Sequence, residues 1–166
     1  MTALNISTPL HLREATLDDL PILLDFEQAL VAYERPFAPQ LRQGKIHYYD
    51  LKAYIQDPDV CVVVAERKGE ILGSGYALIR ENAPYKTPSQ LVYLGFMYVR
   101  PEHRGEGINA KVMQYLIQWG KDQGFTEFQL DVYDENTSAR KAYEKMGFVP
   151  EILTMRLDNI PPENQK

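Results

Sequence analysis

Val99-Arg100-Pro101-Glu102-His103-Arg104-Gly105-Glu106-Gly107-Ile108-Asn109 is the stretch on which the reading of this chain turns. A β-rich run, Leu91 to Val99, feeds a loop with two glycines two apart, and an amphipathic helical pattern follows at once. Glycine lacks a Cβ, so its backbone reaches positive φ cheaply and lets a ligand come close. A helix start presents N–H groups without intrahelical partners and the positive end of the helix dipole. Together these suit phosphate oxygens. Residues 104–109 are therefore expected to hold a phosphate-bearing cofactor.

Three glycine-loop chemistries compete. A nucleotide-hydrolysing P-loop needs Gly-Lys-Ser/Thr, and no such triplet occurs. A dinucleotide fingerprint finds its spacing in Gly105-x-Gly107-x-x-Ala110, with acidic Glu127 and Asp131 downstream. In that motif, however, the strand runs directly into the first glycine, whereas Arg100 to Arg104 intervene here. Too little chain follows Gly105 for the repeated strand–helix units of a nicotinamide-cofactor fold. The third chemistry fits more of the chain. The segment Tyr93 to Phe148 resembles the GNAT superfamily of acetyl-CoA-dependent N-acetyltransferases. The matching residues are Val99-x-Pro101-x-x-Arg104-Gly105-x-Gly107-Ile108, then a helix, Gly124 and the strand Phe128 to Val132. Asn136-x-x-Ala139-x-x-x-Tyr143-x-x-x-Gly147-Phe148 completes the pattern.

Composition narrows the alternatives. A chain of 166 residues with 45% apolar and 25% charged residues is expected to form one domain, residues 1–166, with a proper core. A net charge of −5 argues against a nucleic-acid backbone as main partner and permits a cationic substrate. The single cysteine, Cys61, excludes an internal disulfide and a multi-cysteine metal site. His11, His47 and His103 show no metal-ligand spacing. No apolar run approaches a membrane span and no signal-peptide pattern opens the chain, so a cytoplasmic location without membrane partners is expected.

Periodicity sets the elements. Leu10 to Arg13 alternates as a short strand, and Thr16 caps a helix running to about Tyr33. Leu20, Leu23, Leu24, Leu30 and Val31 form its apolar face, which Glu27 shares. A second helix is expected over Lys45 to Gln56, ending before Asp57-Pro58. Val60 to Ala65 and Ile71 to Arg80 form an antiparallel hairpin turned by Lys68-Gly69-Glu70. Gln90 to Val99 is the next strand, and Ile108, Val112, Leu116 and Trp119 share one face of the helix after the loop. Glu127 to Tyr133 is read as a strand, Thr137 to Met146 as a helix stopped by Gly147, and Ile152 to Leu157 as a last strand. Residues 160–166 form a frayed tail. The order β-α-α-β-β-β-α-β-α-β gives an α/β (α+β) fold, with a mixed, mostly antiparallel central sheet flanked by helices.

The resemblance implies an acyltransferase that moves an acetyl group from acetyl-CoA to a primary amine of a small molecule or peptide by direct attack. It implies no metal. Tyr143 occupies the family's general-acid position; a tyrosine of pKa near ~10 can still protonate a departing thiolate of pKa near ~8.5. Backbone N–H groups of Arg104, Gly105, Glu106, Gly107, Ile108 and Asn109 would take the pyrophosphate, with the Arg104 side chain adding charge. Met97, Tyr98 and Val99 would offer backbone groups to the pantetheine arm, the Val99 N–H also polarising the thioester carbonyl. Asn136 would hydrogen-bond the arm, cap the following helix, or both.

Three positions depart from the family pattern. Glu102 stands at the first signature position, and Asn109 follows Ile108 where glycine is frequent. Leu94-Gly95-Phe96 stands where many members carry a strand carboxylate. The amine-facing group must then come from elsewhere: Glu27, Glu34, Glu81 and Asp131 are the candidates, Glu27 first because of its apolar face. Tyr93 joins them, and Tyr33, Tyr48, Tyr76, Tyr85 and Tyr133 are either further cleft residues or half-buried packing. Cys61, in a Val-rich run with no adjacent histidine, reads as a buried structural thiol. Two rivals stand beside the enzyme: an acyl-CoA sensor or partner module that binds without turnover, and a nicotinamide-dependent oxidoreductase. The sequence does not choose among polyamine, amino acid, aminoglycoside or protein N-terminus as acceptor, and the resemblance allows a homodimer.

Overall fold

The computed structural model describes residues 8–158, so the tail at 160–166 lies outside the described residues. The chain divides into two compact units, the first running to Tyr133 and the second starting at Asp134. The first unit contains β1 (His11–Glu14), α1 (Leu20–Glu34), α2 (Leu51–Gln56), β2 (Val60–Arg67), β3 (Glu70–Glu81), β4 (Gln90–Val99), α3 (Ile108–Asp122) and β5 (Phe128–Gln129). The second contains α4 (Thr137–Lys145). Short 3-10 turns at Leu17–Asp19, Arg35–Phe37 and Pro101–His103 link these elements.

The sheet has the order β1-β2-β3-β4-β5, antiparallel throughout except for the parallel β4–β5 pair. That is the mixed, mostly antiparallel sheet expected from the sequence. Lys68 (φ 53°) and Gly69 (φ 77°) make the tight β2–β3 turn, in the left-handed pair that matches strand twist. Alternation assigns the faces. Val60, Val62 and Val64 pack with Leu23, Phe26 and Leu30 of α1 and Leu51 of α2. On the opposite face α3 buries Ile108, Val112, Met113 and Leu116. Gly75 lets α3 lie close there: a Cβ on it would meet Val112 and Met97 at 2.8 Å. β1 is fastened by Arg13, whose guanidinium donates to both oxygens of Asp19 (2.7 and 2.9 Å) and to Glu66 (2.9 Å).

Three expected elements change. The second helix starts at Leu51 because Asp50 caps it, accepting from the Ala53 N–H at 3.1 Å. Upstream, the side chains of Glu27 and Gln28 take the backbone groups of residues 46–49 that a longer helix would have used. β5 shrinks to two residues because only Val92 and Tyr93 of β4 pair with it. The last strand at 152–157 does not form. Those residues carry no regular structure, and Ile152, Leu153, Met155 and Leu157 are exposed. Alternating apolar residues make a strand only when another strand supplies hydrogen-bond partners, and no described strand pairs with this segment.

Candidate active site

The glycine loop leaves β4 through the Pro101–His103 turn and enters α3 directly. Gly105 (φ 83°) and Gly107 (φ 78°) both lie in the left-handed region, and Gly107 is the N-cap of α3. A Cβ at either would meet nothing within 4 Å, so the surface above the loop is open. That opening, the N–H groups of the helix start and two side-chain-free positions fit a pyrophosphate. The loop's own carboxylate is drawn aside. Glu106 accepts from Arg67 at 2.7 Å and pairs with His103 Nδ1 at 2.9 Å, and these two hydrogen bonds hold its pKa below the usual carboxylate value. Arg104 donates through Nε to the Val99 carbonyl at 3.3 Å and lies over the Tyr33 ring at 5.3 Å, which puts the loop beside the end of α1.

β4 carries a bulge that sequence reasoning missed. Between the pairs Ser74↔Tyr98 and Tyr76↔Gly95, β3 has one residue and β4 has two, Phe96 and Met97. Phe96 takes φ 57°, a conformation a non-glycine residue adopts at a cost of about 1 kcal/mol or more. The Ser74 hydroxyl donates to the Phe96 carbonyl at 3.3 Å. Past Tyr93 no ladder pair joins β4 to β5. Met97, Tyr98 and Val99 thus sit on a strand that is paired to β3 and has no ladder partner on its β5 side, a geometry open to an added extended arm.

The glycine at position 95, where the family resemblance implies a strand carboxylate, has a steric explanation. A Cβ there would lie 2.6 Å from the Tyr76 ring and hydroxyl. The buried Tyr76 phenol, its pKa pushed up by burial, already fills that space.

Glu34, the last residue of α1, is half-buried, and burial raises its pKa above the usual carboxylate value. Tyr48 lies beside it; its hydroxyl is buried with no hydrogen-bond partner of regular geometry, and burial followed by the Glu34 charge raises its pKa. Tyr133 also feels the Glu34 charge and stacks on Phe37 at 6.4 Å, which in turn meets Tyr33 at 5.9 Å. The C-terminal end of α1 therefore gathers one carboxylate, several aromatic rings and the Arg104 guanidinium.

The other candidates are placed differently. Glu27 is wholly buried and accepts three hydrogen bonds: from His47 Nδ1 (2.7 Å) and from the backbone N–H groups of Tyr48 (2.7 Å) and Tyr49 (3.0 Å). Glu81 accepts from Gln90 at 2.8 Å at the far end of the β3–β4 ladder from Val99. The Tyr93 hydroxyl donates to Asp131 at 3.1 Å, and Arg80 covers the Tyr93 ring at 4.1 Å. Burial, then Asp131, pushes the Tyr93 phenol up to about 12. Tyr85 is 87% exposed. Cys61 is fully buried on β2, its thiol pushed up to about 12 by burial.

In the second unit Asn136 is buried and caps α4, accepting from the Ala139 N–H at 3.3 Å. Tyr143 sits one turn from the end of α4, its ring 6.2 Å from Phe148 in an edge-on contact. Gly147 follows with φ 97°, the expected helix stop.

Among the described residues no helix is long and apolar enough to cross a membrane. Residues 26–148 match the model of the acetyltransferase (GNAT) family. Porcine thialysine N-epsilon-acetyltransferase is 32% identical over 145 residues, which cover 82% of this chain and 82% of that protein. Human N-acetyltransferase 8B is 30% identical over 97 residues, 58% of this chain, and the match spans only 42% of that relative's length. A predicted acetyltransferase from Clostridium acetobutylicum, solved with acetyl-CoA, superposes with a TM-score of 0.70 at 18% identity, covering 90% of this chain and 96% of its own.

Proposed function

Because the chain belongs to the GNAT acetyltransferase family, we propose that it moves an acetyl group from acetyl-CoA to a primary amine of a small molecule or peptide by direct attack. The observation that carries this reading is the open glycine loop. It runs into the start of α3 from the end of β4, a stretch of that strand with no ladder partner on its β5 side. In this reading the N–H groups of residues 105–109 hold the pyrophosphate, since the Arg104 N–H already donates to the Pro101 carbonyl at 3.3 Å, and Met97, Tyr98 and Val99 pair with the pantetheine arm. Asn136 serves the arm as well as its helix cap. The likeness to an enzyme named for an N-epsilon-acetyl transfer supports an amine acceptor.

The amine nitrogen forms a bond to the acetyl carbon, and the carbon–sulfur bond breaks. The nitrogen gives up its proton to the base facing it, and Tyr143 gives one to the thiolate and recovers it from solvent. With Gly95 closed by Tyr76, Glu34 is the carboxylate we assign to the amine: half-buried, of raised pKa, and ringed by aromatic faces suited to a cation.

Calorimetric titration with acetyl-CoA, run beside NAD, tests the loop. Saturable binding of acetyl-CoA alone is expected; folded protein that binds none overturns the reading. Tyr143→Phe should lower turnover by about 10²–10⁴-fold while acetyl-CoA affinity holds. Unchanged turnover removes Tyr143 from the mechanism. Acetyl-CoA binding without turnover across polyamine, amino-acid, aminoglycoside and peptide amines would favour a sensor instead.

A further inference from the structure

Glu27 is a carboxylate with no accessible surface, on a helix face otherwise made of Leu23, Phe26, Leu30 and Val31. Burying such a group is costly unless its oxygens are fully engaged. They are engaged, and all by one short segment. Oε1 accepts from the backbone N–H groups of both Tyr48 and Tyr49, at 2.7 and 3.0 Å, and Oε2 meets His47 Nδ1 at 2.7 Å. The next residue on the helix works the same way: Gln28 donates to the Ile46 carbonyl at 2.8 Å. Residues 46–49 have no helix or strand of their own, so these side-chain bonds replace a ladder.

That segment carries two rings into the candidate acceptor region. Tyr49 packs against Tyr76 at 5.2 Å and Phe96 at 5.3 Å, the residues that close Gly95 and form the β4 bulge. Tyr48 brings its buried hydroxyl beside Glu34, without a hydrogen bond of regular geometry. A buried hydroxyl without a well-formed hydrogen bond is held at a cost, and a polar ligand group would relieve it.

We infer that Glu27 is the positioning residue of the acceptor pocket: its carboxylate pins the Tyr48–Tyr49 backbone and so sets the Tyr48 hydroxyl against Glu34. Glu27 does not touch the amine; it acts through Tyr48. The inference rests on the reading that Glu34 faces the acceptor amine.

The test compares Glu27→Ala with Glu27→Gln in the full chain. Oε1 receives both backbone N–H groups, so the glutamine carbonyl oxygen can keep them, and its amide can donate to His47 Nδ1 in the other tautomer. The alanine keeps none of these bonds. The acceptor probe is whichever of thialysine, spermidine or an aminoglycoside the wild-type protein acetylates fastest. Glu27→Ala should raise the amine KM on the order of 10–100-fold, as a misplaced positioning group does. Its acetyl-CoA affinity by calorimetry should stay within roughly 2-fold, because the loop site is built from backbone groups elsewhere. Glu27→Gln should restore the amine KM to within roughly 3-fold of wild type. Hydrogen exchange of the Tyr48 and Tyr49 amides should rise in the alanine variant and stay slow in the glutamine variant.

Two results overturn the inference: an unchanged amine KM in Glu27→Ala, or equal losses for amine and acetyl-CoA, which would mark Glu27 as a fold residue only. Should Glu27→Ala fail to fold, His47→Ala removes one of the three bonds from the half-exposed side. It should then give a smaller rise of the same kind, and no rise overturns the inference. The reading beneath it fails separately: a wild-type protein that acetylates an amine with Glu34→Gln unimpaired removes Glu34, whatever the Glu27 variants do.

Discussion

Residues 100–109 and residues 34–50 flank the candidate site, and they are stabilised by opposite means. The loop is exposed over most of residues 101–107, and the groups proposed to meet the cofactor are backbone N–H groups set by two positive-φ glycines. Its carboxylate Glu106 is turned aside to Arg67 of β2 and to His103. The segment at 34–50 presents side chains instead, a half-buried Glu34 and a buried Tyr48 hydroxyl, and a wholly buried carboxylate on α1 holds its backbone. A site made of backbone needs only a local conformation. A site made of side chains needs distant residues fixed relative to one another. Substitutions should accordingly separate the two: the loop through cofactor affinity with the fold intact, the segment through acceptor kinetics and stability together.

Gly107→Asp should break the loop's half most severely. It adds a charge where phosphate oxygens would sit, and like charges in close contact cost several kcal/mol. Acetyl-CoA affinity should fall on the order of 10³-fold, since each 1.4 kcal/mol is about tenfold. Gly107→Asn is the control. Asparagine tolerates the left-handed conformation and carries no charge, so calorimetry should show a far smaller loss. Equal losses in the two would trace the effect to backbone strain and not to a phosphate.

The same contrast governs what could be read from the sequence. The loop was legible because its signal is contiguous: strand, glycines and amphipathic helix follow one another between Leu91 and Trp119. The Lys68-Gly69 hairpin and the Gly147 stop were legible for the same reason. The role of Glu27 was not, since its apolar position pointed to a burial that only residues 20 to 22 positions away explain. Nor was the closure of Gly95, which depends on a ring reaching across from β3. The strand expected at 152–157 shows the limit of periodicity itself. Alternation names a face to bury, while the partner that buries it comes from the rest of the chain.

Glu34→Gln should sharpen the other half, with a smaller effect. Removing a carboxylate proposed to face the amine should lower kcat/KM for the acceptor by about 10²-fold and leave acetyl-CoA affinity unchanged. Burial raises the Glu34 pKa from its ordinary 4.5, so the wild-type acid limb should lie above that value. The variant should lack this limb. A pH profile of kcat/KM decides it, and an acid limb retained unchanged in the variant would assign the limb to another group.

The smallest effect is also the one in which the two regions differ in sign. Glu34 has a folded-state pKa above 4.5, so its ionisation is penalised in the folded protein. Its contribution to stability therefore declines as pH rises from about 4.5 through the folded value, and it stays reduced above that. Glu106 has a folded-state pKa below 4.5, lowered by Arg67 and His103. Its contribution is present above about 4.5 and is lost as pH falls through the folded value. Glu106 is exposed, where solvent screens such pairs, so its effect should be barely resolvable. Denaturant unfolding of Glu34→Gln across pH 4 to 8 should show a gain over wild type that grows with pH, on the order of 1 kcal/mol or less at the upper end. Glu106→Gln should show at most a slight loss over the same range. A Glu34→Gln curve parallel to wild type would mean that water reaches the carboxylate freely. The acceptor side would then be as exposed as the loop, and the contrast between them would collapse.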